Sequence, residues 1–221
     1  YVGVDVFFVI SGFLITRLLL NELGRTEYIS IPGFYARRIK RLLPLSAVLL
    51  VTVSVLSLII FSPLRIAEVS GDIVSSVFYV ANWHFAAQSV DYFAQGLEPS
   101  PVQHLWSLAI EEQFYIVWPT LMLLAVWPFV LRGFSPRPVL WVVVAVVVGA
   151  SLAVGVQLTG EQPSAAYFST LGRAWELALG ASLALLGAVR MPGWVAAALG
   201  WAGLAAIVYA VFAFDSGTPF P

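Results

Sequence analysis

Cysteine is absent from the 221 residues, so no disulfide and no thiolate metal site can be built, and the redox compartment leaves no mark. The two histidines cannot close a zinc site without carboxylate help, and no metal is expected. Charge is scarce as well: Asp, Glu, Lys and Arg make up 10% of the chain, against about 25% in soluble domains. So few charges cannot cover a water-facing surface, which excludes the soluble globular classes. The net charge of −1 says nothing about partners, because what matters is where the charges sit; no nucleic-acid partner is expected. No secretory signal pattern is visible. The chain opens at Tyr1 almost directly into an apolar stretch and closes on "FDSGTPFP", and it reads as a fragment of a longer protein.

What is present is apolar. Hydrophobic residues reach 60% and the mean hydropathy is +0.92, which fits a polytopic membrane protein. A crossing needs roughly 20 apolar residues. Stretches 4–23, 42–62, 113–131, 138–158 and 192–214 meet that length, and 166–188 does so only if Arg173 and Glu176 are tolerated inside it. Backbone groups in lipid must pair internally, so the expected fold is all-α, a transmembrane helical bundle. Basic residues Arg25, Arg37, Arg38, Lys40 and Arg41 put the loop between the first two spans in the cytoplasm. Arg132, Arg137 and Arg190 join them only if segment 69–88 does not cross, which favours a re-entrant or interfacial 69–88. No internal repeat and no long linker divides the chain, so one domain is expected.

Several polar groups stand where lipid is expected. In "HLWSLAIEEQFYIVWP" the helical period lines up His104, Ser107, Glu111 and Tyr115, while Glu112 looks about 100° away. This is either a hydroxyl-binding, proton-handling face or an interfacial helix start with Trp106 as its anchor. In "YARRIKRLLP", Arg37, Arg38 and Arg41 offer guanidinium forks that suit phosphate oxygens, or else a positive-inside anchor on lipid headgroups. In the first span Asp5 is a helix cap or faces a cavity, and Ser11 and Gly12 point to close helix packing rather than a nucleophile. Arg173 and Glu176, three apart, read as a self-neutralising pair, and His84 as a satisfied polar contact.

Taken in order, "GVDVFFVISGFLIT", "FYARRIKRLLP", "NWHFA" with "DYF", "HLWSLAIEEQFYIVWP" and "LGRAWELALG" resemble the acyltransferase 3 family of bacterial integral membrane O-acyltransferases. The resemblance implies about ten membrane helices, of which about six to seven lie here, in a partial domain spanning 1–221 that lacks the first and last helices. It implies no bound cofactor and an acyl-CoA co-substrate, most simply acetyl-CoA, held by Arg37, Arg38 and Arg41. It implies an acceptor among peptidoglycan, lipopolysaccharide or other envelope glycans and glycolipids. It also implies a catalytic histidine in a helix ahead of "GVDVFF", so this segment alone is expected to be inactive. Asp5, His104, Glu111 and Glu112 then belong to the polar set around a reaction pore in the bacterial inner membrane. In that picture the arginines face the cytosol, His104 and Glu111 line the outer, acceptor side, and Glu112 holds a neighbouring helix. The rival readings are a transporter or flippase for a glycan intermediate, whose mark would be a repeat, and a non-catalytic scaffold.

Overall fold

The computed structural model describes residues 2–90, 99–187 and 189–214; the "DYF" motif at 91–93 and the closing stretch 215–221 lie outside the described residues. Every element among the described residues is an α-helix, in the order α1 (Val2–Thr26), α2 (Ile31–Ile60), α3 (Pro63–Val77), α4 (Ala81–Val90), α5 (Leu105–Val130), α6 (Arg137–Glu161), α7 (Pro163–Phe168), α8 (Thr170–Leu186) and α9 (Gly193–Ala213). Five of them, α1, α2, α5, α6 and α9, are long and apolar enough to cross a membrane. These match the five apolar stretches, with two earlier starts. Helix α2 begins at residue 31 rather than 42, and α5 at 105 rather than 113. Hydropathy marks where lipid begins, whereas the helix begins at its cap. Ser30 accepts the Gly33 N–H and Pro32 sits in the first turn of α2, so the basic run is helical although it is not apolar.

The stretch around 69–88 is a helical hairpin. At 1.5 Å per residue, α3 and α4 reach only about 22 Å and 15 Å, short of a bilayer core. Tyr79 ends α3 in the left-handed region at φ +54, and the Val80 N–H closes back on the Ser75 carbonyl at 2.9 Å. A non-glycine residue is costly there. The strain is met by a tether: Gln113 of α5 donates to the Tyr79 carbonyl at 2.8 Å. Gln113 also donates to Asn82 at 2.8 Å and accepts from Thr170, while Asn82 donates to the Phe168 carbonyl at 3.0 Å. The hairpin tip is thus latched inside the bundle where α5, α7 and α8 meet. At its open end Arg65 donates to the Pro99 carbonyl, so the chain enters and leaves on one side. Two short helices that turn back have the shape of a re-entrant or an interfacial segment alike.

Helix α8 is the hub. It packs along α1 and α6, and the approaches need glycine. A Cβ on Gly12 would strike the Leu177 carbonyl oxygen, one on Gly180 would strike the Val9 carbonyl oxygen, and Gly155 faces the Gly172 backbone. Around these crossings an aromatic core closes through Phe8, Trp106, Phe114, Tyr115, Trp118 and Phe168. No described residue of α9 is buried, as suits a helix facing lipid.

Candidate active site within the bundle

The first polar cluster forms where α1, α2 and α5 converge. Glu111 is 7% exposed, and its Oε1 accepts from Ser11 Oγ of α1 at 2.6 Å and from the Tyr115 hydroxyl one turn on at 2.5 Å. Glu112, the next residue on α5, accepts from Arg38 of α2 at 2.9 Å. The Arg38 guanidinium lies 3.9 Å from the centroid of the Tyr115 ring and also 3.9 Å from Glu111 Oε1. Arg38 Nε is buried with no hydrogen-bond partner among the described residues. Burying ions costs several kcal/mol each before pairing, by order of magnitude, so packing alone does not favour this arrangement. Two carboxylates, one guanidinium and two hydroxyls are gathered into one largely buried patch. Such a patch can polarise a carbonyl through Arg38 and orient a proton-accepting group through Glu111.

A second cluster closes the start of α1 against α8. Arg173 is 1% exposed and donates to Asp5 at 2.8 Å and to Glu176 at 3.0 Å. Its Nε bonds the Tyr167 carbonyl, and its guanidinium lies against the Tyr167, Trp106 and Phe8 rings. The expected pair Arg173–Glu176 is therefore real, and Asp5 is its third member. One guanidinium thus serves two carboxylates, and each ionisable group in the cluster has a partner.

The sequence-derived residues sort unevenly. Glu111, Glu112, Tyr115 and Arg38 come together. His104 does not: it stands exposed at the N-cap of α5, without a side-chain capping bond, seven residues before Glu111. A shared helix face does not bring two groups into contact when two turns separate them. The three arginines also diverge. Arg37 pairs with Glu22 at 2.9 Å at the far end of α1, Arg41 is exposed, and only Arg38 turns inward. Arg38 of the basic run nonetheless reaches Glu112 of the acidic helix start, so the two meet inside the bundle. Successive helical residues point about 100° apart, so a charge run cannot act as one block. Ser11 was read as packing; its neighbour Gly12 packs, while Ser11 hydrogen-bonds Glu111. The only signal for it was a hydroxyl inside an apolar span and a carboxylate inside another.

Fold and site together define a multi-pass helical membrane protein with ionisable groups gathered inside the bundle. The chain belongs to the acyltransferase 3 family, whose acyltransferase domain model matches residues 1–220. It is 38% identical over 191 residues to the peptidoglycan O-acetyltransferase OatA of Listeria monocytogenes, covering 84% of this chain and 29% of that protein. It is 41% identical over 189 residues to the O-acetyltransferase OatA of Staphylococcus aureus, covering 84% and 30%. It is 40% identical over 188 residues to the putative peptidoglycan O-acetyltransferase YrhL of Bacillus subtilis, covering 84% and 29%. The chain thus matches less than a third of the length of these relatives. No solved structure matches it.

Proposed function

We propose that this chain is the part of a bacterial cytoplasmic-membrane O-acyltransferase in which an acyl group, most simply acetyl, passes from acyl-CoA to a hydroxyl of an extracytoplasmic glycan. The names of the relatives make peptidoglycan the leading acceptor. One observation carries the reading: Arg38 leaves the basic run and turns inward, part-buried, against Glu111, Glu112 and Tyr115. In a purely lipid-anchoring run it would stay exposed, as Lys40 and Arg41 are.

The donor is charged and stays on the basic side, while the glycan is on the other, so the reacting atoms must meet inside. The acceptor oxygen attacks the thioester carbonyl, its proton goes to a base, and the coenzyme A thiolate leaves. Arg38 stabilises the negative charge that grows on the carbonyl oxygen. Glu111, held by Ser11 and Tyr115, orients the base, which the family resemblance makes an imidazole carried by a helix ahead of α1. Glu112 anchors Arg38. Bringing thioester and hydroxyl within about 3–3.5 Å removes much of the barrier. The test is acetyl transfer from labelled acetyl-CoA to a muropeptide by the full-length protein in vesicles. Arg38→Ala is expected to lower the rate by about a hundredfold or more, the scale of losing one oxyanion donor. Undiminished transfer by that variant overturns the reading.

A further inference from the structure

One polar group lies outside both clusters. Asp72 of α3 is 3% exposed, yet its Oδ1 is reached by His84 Nε2 at 2.9 Å and by Gln88 Nε2 at 3.1 Å, both from α4. With the His84 proton on Nε2, Asp72 Oδ1 accepts from both side chains, and Gln88 Nε2 stands 2.9 Å from His84 Nε2 where the two donors converge. The other ring nitrogen, Nδ1, then carries a lone pair. The His84 side chain is 32% exposed and Gln88 is exposed, so neither is sealed in. Among the described residues neither His84 Nδ1 nor Gln88 Oε1 makes a hydrogen bond. Positions 84 and 88 share one face of α4, about 5–6 Å apart at Cβ. The result is two unused acceptors, side by side, on a rigid hairpin.

We propose that His84 and Gln88, fixed by Asp72, form a hydroxyl-binding subsite for the acceptor sugar. Two neighbouring acceptors suit two neighbouring donors, and a vicinal pair of sugar hydroxyls supplies them. An ammonium would find no charge here beyond Asp72, which is buried and already doubly engaged, and a phosphate would find no cation. The place agrees. The hairpin opens on the side away from the basic loops, which is the glycan's side in the proposed topology. Asn82, two residues before His84, is bonded to Gln113, two residues after Glu111. That bond holds α4 against α5, while His84, about 200° round α4 from Asn82, faces α3 and the outside of the hairpin. Trp83, exposed beside His84, offers an aromatic face to the sugar ring. His84 is here a positioning residue: it binds the acceptor and takes no proton from it.

This inference rests on the glycan acceptor proposed above, and its test is separable from transfer. The full-length protein in nanodiscs is titrated with a soluble muropeptide and, separately, with acetyl-CoA. His84→Gln keeps an amide where Nε2 meets Asp72 and deletes the Nδ1 acceptor; Gln88→Leu deletes the other acceptor and leaves the Asp72–His84 bond in place. Each variant is expected to raise the muropeptide Kd by about three- to tenfold, the scale of one lost hydrogen bond, with acetyl-CoA affinity unchanged. His84→Asn, which restores an amide near Nδ1, is expected to recover part of the loss. Muropeptide binding equal to the native protein in both deletion variants overturns the subsite, as does a native protein that binds no muropeptide. So does a parallel fall in acetyl-CoA affinity, which marks a structural role. A native protein that binds muropeptide but transfers nothing overturns the enzymatic reading and leaves the subsite standing.

Discussion

Arg38 shows how much one side chain decides. Its guanidinium bonds Glu112, lies on the Tyr115 ring and approaches Glu111 at once. A lysine has a compact charge and no planar fork, and cannot do all three. Arg38→Lys is therefore expected to slow acetyl transfer by more than about tenfold although the charge is kept. A rate within twofold of native would show that only charge matters. Glu112→Gln is expected to cost less than Arg38→Ala, because it leaves a neutral partner rather than two carboxylates without their cation; thermal melts of both variants check the order. Most residues of this patch were legible as polar intruders in apolar sequence. Their grouping was not, because it depends on which way α2 is rotated against α5, and no pattern within either helix records that.

At the scale of elements, two joints hold the bundle. The first is the glycine contact between α1 and α8. Gly12→Val and Gly180→Val each put a side chain onto a carbonyl of the facing helix, so the helices must separate. A loss of about 1–3 kcal/mol, read as a lowered unfolding midpoint in detergent, is expected, with Gly149→Ala as the control that meets open space. The second joint is Gln113. Gln113→Leu leaves the Tyr79 carbonyl, Asn82 and Thr170 without their shared partner. Hydrogen exchange is then expected to rise over residues 75–85 while α6 stays protected, and uniform exchange would show that the tip is held by packing instead. The spans themselves were readable from hydropathy. The hairpin was readable only through the charge rule, since Asp72, His84 and Gln88 interrupt the run without saying where the chain turns.

At the scale of the molecule, a sequence with no cysteine is a clean background for mapping sides. Single cysteines at Arg65 and at Ser100 are expected to react with an impermeant maleimide from one side of sealed vesicles, and one at Arg41 from the other. Reaction of 65 and 100 from different sides would make 69–88 a crossing and invert every later helix. Composition made the membrane class plain, because so few charges leave nothing to face water. Composition was silent on which helices touch, and the pairing of α1 with α8, distant in sequence, is a property of the assembled bundle.

That pairing bears on how the protein is made. Helix α8 has 17 residues and carries Arg173 and Glu176, and it is not among the five helices long and apolar enough to cross a membrane. Its arginine has Glu176 within α8, and it gains Asp5, far away in the sequence, only once α1 lies alongside. The nascent chain must therefore keep α1 beside the translocon until α8 emerges, or release α8 late into a prepared groove. Asp5→Asn would then show itself first in biogenesis, as α8 left outside the bilayer, before any defect in finished protein could be measured.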